Sequence, residues 1–278
     1  MAMSTTGKAD DTSDACPNGV GYRLNGSVAV IELSRPSAHN ALDLAMKHGL
    51  LAAVRRVHAD GTAVRAVLLT ARGSTFCVGQ DLKEHANALA IRPAAAFATV
   101  RREYNPIVEA LHSLEQPVVA AIEGACVGAG LGLALCADIR VAAAGARFAT
   151  AFTGIGLACD TGLSGALVRA LGASRAAGLL LLGDRFTAEE ASQWGLVHRV
   201  AADGQAAADG LALAERLAEG PTAAYREVKA LLRDAGTSGL AALLDREAAA
   251  QERLGATHDH GRAVKAFLTR RTPSFLGH

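Results

Sequence analysis

The sequence predicts an α/β fold with a helical C-terminal region, and three observations predict it. Residues 117–138 begin with a β-branched apolar stretch, Pro-Val-Val-Ala-Ala-Ile, pass through Gly124, Gly128, Gly130 and Gly132, and continue in helix formers. That is the pattern of a buried strand that turns tightly and opens a helix. Residues 64–82 repeat it, with an apolar strand, a turn at Gly79, and Gln80-Asp81-Leu82 ahead of a helical segment. Beyond Val200 apolar residues recur at helical spacing: Leu211, Ala214, Leu217; Val228, Leu231, Leu232; Leu240, Leu243, Leu244, Ala248. Such stripes are expected to face mostly the core.

Residues 1–18 are polar, carry Asp10, Asp11 and Asp14, and have no apolar centre. They read as a disordered N-terminal arm, not a signal peptide. Residues 20–24 and 28–33 form a hairpin turning at Asn25-Gly26. Arg35-Pro36 ends it, and Asn40-Ala41-Leu42 leads into a helix with Leu42, Met46, Leu50, Val54 and Val57 on one face. Residues 64–70 are the next buried strand. Thr187 and Glu190 have the spacing of a capping box at a helix start. The organisation expected is an arm over 1–18, an α/β core over 19–202 and a helical region over 203–278.

Composition excludes several function classes. With 50% hydrophobic residues, 20% charged residues and a net charge of +1, the 278-residue chain buries a large core and offers nucleic acid no attracting field. The longest apolar tract is interrupted by Glu123 and its glycines, so no membrane span is expected. Cys16, Cys77, Cys126, Cys136 and Cys159 show no metal-ligand spacing, and three of them lie in apolar or glycine-rich surroundings. They fit a reducing compartment, the cytoplasm.

The chemistry sits in the two glycine turns. Backbone N–H groups at a helix start have no internal partner and point at whatever lies before them. No Lys-Ser/Thr follows the glycines, so neither turn is a P-loop, and the spacing is not that of a dinucleotide fingerprint. Close helix–strand packing accounts for one such cluster equally well. Two of them, at the ends of neighbouring parallel strands, can each aim one N–H at the same thioester oxygen and stabilise an enolate beside it.

The two clusters, in this order and separation, resemble the crotonase superfamily, also called the enoyl-CoA hydratase/isomerase family. Leu33-Ser34-Arg35-Pro36 with Asn40-Ala41-Leu42, the run Phe186-Thr187-Ala188-Glu189-Glu190-Ala191, Trp194-Gly195-Leu196-Val197 and residues 266–275 extend the likeness over nearly everything after residue 18. The resemblance implies a crotonase-like spiral of strand-strand-helix repeats and a C-terminal region that packs homotrimers, often paired into homohexamers. It implies an acyl-CoA thioester as substrate, with no cofactor beyond the coenzyme A of the substrate and no metal. It assigns the N–H groups of Gln80 and Ala129 to the thioester oxygen. Gln80, Asp81, Leu82 and Lys83 would flank the pantetheine and adenine, and Phe267 and Arg270 would reach the nucleotide end on a neighbouring subunit. Without the resemblance, Phe267 and Arg270 belong to an ordinary amphipathic helix.

The departures from the family pattern bear on the reaction. Hydratases of the family place two glutamates around the substrate; here those positions hold Gly132 and Phe152. Neither residue transfers protons. Asp160 lies eight residues past Phe152 and matches the single aspartate of the isomerase branch, nearest to the ring-epoxide isomerases of phenylacetate breakdown. Tyr104-Asn105-Pro106 and Gly128-Ala129-Gly130 also resemble that branch. Cys159 departs from it where proline is common, and Leu163 stands where a smaller residue is usual. Asp160 before Thr161-Gly162 also has the form of a helix N-cap. Glu123 is expected to be structural; His85 and His112 fit a pocket mouth or, as lone helix histidines usually are, the surface. Three readings follow: an isomerase working through Asp160, a hydratase that activates water in another way, and a non-catalytic acyl-CoA binder. The RNA-binding activity found in one relative is not expected at this charge.

Overall fold

A computed structural model of the chain describes Cys16 and residues 18–278. The expected arm over residues 1–18, apart from Cys16 and Asn18, lies outside the described residues. Strands β1 (Val20–Asn25) and β2 (Val28–Leu33) form the hairpin, in register from Val20 opposite Leu33 to Asn25 opposite Val28. The turn is therefore Gly26-Ser27, one residue later than expected, because Asn25 still pairs. Helix α1 (Leu44–Asp60) is capped by Asp43, whose side chain accepts from the Met46 N–H at 2.9 Å. Leu42, expected on its apolar face, precedes the helix and is used differently, as described below.

The chain then runs through β3 (Ala66–Ala71), α2 (Leu82–Ile91), the short α3 (Pro93–Ala96) and a π-helical turn (Val100–Tyr104) that passes directly into α4 (Asn105–Ser113). β4 (Val118–Ile122) and β5 (Ala125–Val127) lead to α5 (Ala129–Leu135). β6 (Ile139–Ala143) and β7 (Arg147–Ala149) lead to α6 (Leu163–Leu171) and α7 (Ala173–Leu182). β8 (Phe186–Thr187), α8 (Ala188–Gln193) and β9 (Arg199–Ala201) close the α/β part. The Thr187/Glu190 capping box forms in both directions at the start of α8.

Two sheets result. The larger has the order β1-β2-β3-β4-β6-β9, parallel throughout except at the β1/β2 hairpin. The smaller has the order β5-β7-β8, and Cys77 joins it through a parallel bridge to Cys126. Successive turns of the chain place one strand in the large sheet, the next in the small sheet, and then a helix. This is the expected spiral, and it arises because the parallel strands need crossovers that the helices supply.

Both faces of the large sheet are covered, which is why its strands read as unbroken apolar runs. Ala29, Ile31, Val67, Leu69, Val118 and Ala120 face the main core with α1, α4 and α5. Val28, Val30, Ala66, Leu68, Val119 and Ala121 face α9 (Ala206–Ala218). Gly210 of α9 lets the helix approach closely: a Cβ there would stand 2.8 Å from the Ala121 Cβ. α9 stands beyond the boundary expected at residue 202, yet it completes this layer, and Glu123 at the end of β4 caps it by accepting from Ala206 N at 2.8 Å.

The later stripes behave differently. α10 (Thr222–Ala235), α11 (Leu240–Gly255) and α12 (His258–Leu268) follow. Leu232 is 69% exposed and Leu240 73%, and Val228 and Leu244 are also exposed. The expectation that these stripes are mostly core fails for α10 and α11, because the chain has run past the sheet that would have covered them. Among the described residues no helix is long and apolar enough to cross a membrane.

Candidate active site

The small-sheet bridge sets the site. Cys77 donates its N–H to Ala125 O at 3.1 Å, and Val127 donates to Cys77 O at 2.9 Å, so the two glycine turns leave from adjacent parallel segments. Gln80 lies three residues past Cys77, and Ala129 lies three past Cys126. Equal offsets on paired segments bring the two N–H groups to the same level. Leu42 then orients the first. Its N–H donates to Gly79 O at 2.8 Å, and its carbonyl accepts from Asp81 N at 3.2 Å. In a parallel bridge the residue between those contacts turns its own N–H to the opposite side. Gln80 is that residue. Gly79 (φ +85°) and Gly128 (φ +58°) adopt the left-handed conformations that the turns require, and a Cβ on Gly79 would stand 3.1 Å from Ala129 N. Among the described residues, the N–H groups of Gln80 and Ala129 donate to no protein acceptor. Cys77, beneath them, is fully buried, its thiol pushed up to about 12 by burial, and it serves as packing.

Asp160 stands on the turn before α6. The N-cap of α6 is Gly162, and no side chain caps that helix. The alternative of Asp160 as a helix cap is thus set aside. Its Oδ1 is buried without a hydrogen-bond partner. Burial pushes its carboxyl above the ordinary carboxylate range, against the pull of the neighbouring Thr161 hydroxyl and its own N–H. Thr161, a β-branched residue at φ +51°, and Ala151, at φ +64°, are strained positions at the two ends of the segment carrying Phe152 and Asp160. The vacant glutamate positions fit this arrangement. A Cβ on Gly132 would stand 1.9 Å from Thr161 Oγ1, so the Asp160 turn fills the space that a side chain on α5 would need. Phe152 is half-buried, and its ring lies 4.0 Å from where a Cβ on Gly128 would be.

The remaining expected residues divide. Asp81 has both carboxylate oxygens committed to the protein: Oδ1 accepts from Lys83 N and Glu84 N at 2.9 and 3.1 Å, and Oδ2 meets Arg35 Nη1 at 2.7 Å. Burial raises its pKa, but Arg35 and those N–H groups outweigh it and hold the carboxyl below its ordinary value. Its part is to cap α2 and hold the turn, not to touch substrate through its side chain. Leu82 and Lys83 are exposed on the first turn of α2. Phe267 is 81% exposed on α12, Arg270 follows that helix, and neither lines the cavity beside Gln80. A cavity of about 410 Å³ opens beside Gln80, with Leu44, Lys47, Glu84, His85 and Ile91 in its wall.

Three residues were not singled out as site residues by their pattern. Leu42 has the spacing of a helix face. Thr161 carries no sequence signal beyond standing before Gly162. Tyr104 falls in register with Ile107 and Leu111, a core stripe, and only its hydroxyl distinguishes it.

Known proteins match nearly the whole chain. The sequence model of the family described as Enoyl-CoA hydratase/isomerase matches residues 23–278. The chain belongs to that family. A Rhodobacter capsulatus relative named as an enoyl-CoA hydratase is 40% identical over 92% of this chain and 97% of its own length. The 1,2-epoxyphenylacetyl-CoA isomerase of Escherichia coli is 38% identical over 90% and 95%. A Mycobacterium abscessus crystal structure titled as an enoyl-CoA hydratase/isomerase superposes with a TM-score of 0.91 at 55% identity, covering 93% of this chain and all of the other. The crotonase-like fold expected from the motifs is thereby shown, as is membership among enzymes that act on acyl-CoA thioesters.

Proposed function

We infer that the chain is an acyl-CoA isomerase in which Asp160 moves a proton between carbons while Gln80 and Ala129 hold the enolate oxygen. The observation that carries this is the partly buried Asp160 carboxyl, its Oδ1 unpaired, on the turn packed against α5, whose first N–H is one of two open donors. On a 3-enoyl thioester the carboxylate takes the proton from C2, and the electron pair moves onto the thioester oxygen between the two N–H groups. The protonated Asp160 then returns the proton to C4 as the double bond shifts to C2–C3. A carboxyl raised by burial suits both halves of that transfer, since it is neither a spent base nor a reluctant acid. One such N–H donor is worth about 3 kcal/mol of barrier. The cavity beside Gln80 offers room for part of the substrate. No cofactor is needed beyond the coenzyme A of the substrate. The working assembly is a homotrimer or homohexamer in the cytoplasm, a reading supported by the exposed apolar residues of α10 and α11.

The hydratase name of the Rhodobacter relative favours a second reading, water addition through Asp160 alone. A panel of thioesters, including 3-enoyl and aromatic-ring epoxide forms, separates the two by product mass. Isomerisation leaves the mass unchanged and hydration adds one water. Thioesters should bind far more tightly than their free acids in calorimetry. Tight binding with no turnover of any thioester would leave the non-catalytic binder in their place.

A further inference from the structure

Three buried polar side-chain atoms, Asp160 Oδ1, Thr161 Oγ1 and Tyr104 Oη, make no well-formed hydrogen bond, although the Thr161 hydroxyl lies near enough to the Asp160 carboxylate to favour its ionised form. Buried groups of this kind are almost always satisfied, by protein or by ordered water. Tyr104 is fully buried and closes the π-helical turn that runs into α4. Such turns are rare and concentrate at functional sites, where the extra residue re-aims a side chain. The same helix reaches the Asp160 turn one helical step later: Val108, four residues on, stands 3.7 Å from where a Cβ on Gly162 would be. Residues four apart share a face, so Tyr104 and Val108 both look toward residues 160–162.

The groups facing the Tyr104 ring are known from each packed element. Lys47 Nζ of α1 lies 5.3 Å from the ring centroid and is held by Glu84 of α2 and by Thr99. The charges felt at the phenol are those of Asp160 on the turn before α6, Cys77 after β3, Glu84 on α2 and Glu103 on the tyrosine's own turn. Burial first, then the Asp160 charge, push the phenol far above its ordinary pKa. It therefore stays protonated and keeps its O–H to donate.

Resting on the reading of Asp160 as the base, we propose that Tyr104 is its positioning residue: the phenol O–H donates to the ionised carboxylate through one water shared with the Thr161 hydroxyl. Three polar partners are what a buried water requires. The bond stabilises the ionised form and fixes which oxygen faces the substrate. A mere core tyrosine would have its hydroxyl at the surface or paired within the protein.

The test is Tyr104→Phe, which keeps the volume and removes only the hydroxyl, made in the full chain beside Asp160→Asn. Carbon-13 NMR follows the Asp160 carboxyl without substrate, its signal assigned by its absence in Asp160→Asn. In Tyr104→Phe it should titrate about one pH unit higher, the weight of one hydrogen bond to a charge. With trans-3-hexenoyl-CoA, kcat should fall about tenfold with KM within about twofold, and the acid limb of kcat/KM should move to higher pH. An unchanged Asp160 titration overturns the proposal. So does a Tyr104→Phe enzyme with normal kcat and an unmoved limb while Asp160→Asn is inactive; the base then stands and its positioning does not. Normal turnover by Asp160→Asn overturns the reading of the base itself.

Discussion

The two glycine turns present the same group, an open backbone N–H, but are held by different forces. The first is held from outside by polar contacts. Leu42 grips it through backbone hydrogen bonds on both sides, and Asp81 ties it to Arg35 and to the start of α2, a helix without a single buried residue. The second has no side-chain cap. Residues 129–134 of α5 are all buried, and beyond the backbone bonds of Val127 to Cys77 O and Gly128 to Ala149 O the turn is fixed chiefly by exclusion: Gly130 lies against the backbone of Cys77 and Gly132 against Thr161. One donor is thus set by charge and hydrogen bonding, the other by volume. Perturbing charge should move the first, and adding a single methyl should move the second.

The largest effect expected is on the second turn. A Cβ on Gly130 would stand 2.4 Å from the Cys77 carbonyl oxygen, and backbone cannot yield as a side chain would. Gly130→Ala should displace the Ala129 N–H. Loss of one oxyanion donor lowers kcat by about a hundredfold to a thousandfold, and overpacking should lower stability by about 1–3 kcal/mol. Steady-state kinetics and urea melts measure both. A variant with wild-type kinetics would show that volume does not set this donor.

Asp160→Asn comes next and separates chemistry from architecture. The kcat should fall about a hundredfold or more. Stability should hold or rise, because Asp160 caps nothing and its carboxyl is raised by burial. The sign follows from that raised value. The ionised form is less favourable in the folded chain than in the unfolded one. The penalty is therefore present above the folded pKa and disappears as pH falls below the unfolded value. Melts should show the variant's advantage near neutrality and none in acid. A clear loss of stability at neutral pH would restore a structural role.

How much of this was legible follows from which forces were local. The strands and glycine turns could be read because a buried parallel strand and a left-handed glycine leave their mark in adjacent residues. Gln80 and Ala129 are assigned by the family resemblance, and their common level depends on the Cys77/Cys126 bridge, a contact between segments 49 residues apart. Leu42 misleads by pattern, since its spacing to Met46 and Leu50 suits a helix face and nothing local shows that it bridges to Gln80. Asp160 could be matched, but its freedom from capping required knowing that Gly162 takes that place. The stripes of α10 and α11 misled for the converse reason: amphipathic spacing tells that a face is apolar, not what covers it.

Asp81 mirrors Asp160, with a smaller expected effect. Asp81→Asn keeps an oxygen for the α2 cap and removes the charge facing Arg35. At neutral pH it should lose about 1 kcal/mol, the net worth of a partly buried charged hydrogen bond. Its folded pKa is depressed, so the stabilisation is present above the unfolded value and is lost as pH falls through the folded one. Wild type and variant should therefore converge in acid from the opposite side to the Asp160 pair. Parallel curves at all pH values would mean that the Arg35 contact contributes nothing.

The smallest effect on folding is expected at Phe267, and it tests whether one chain contains the whole site. Phe267 is 81% exposed on α12, a helix held by α11 and by the C-terminal tail, where Asp259 accepts from Leu276 N and Gly277 N at 2.7 Å each. Truncating a side chain so exposed changes stability by no more than about 0.5 kcal/mol. Both glycine turns are complete without it. If Phe267 closes over the nucleotide end of coenzyme A on a neighbouring subunit, Phe267→Ala should weaken thioester binding several-fold while the melting curve and kcat stay as they were. Removal of residues 256–278 should act in the same direction and more strongly. Light scattering beside the calorimetry completes the argument. A trimer whose affinity is unmoved by Phe267→Ala would place the nucleotide contacts elsewhere, and a monomer with full affinity would mean that the two turns and their own chain suffice.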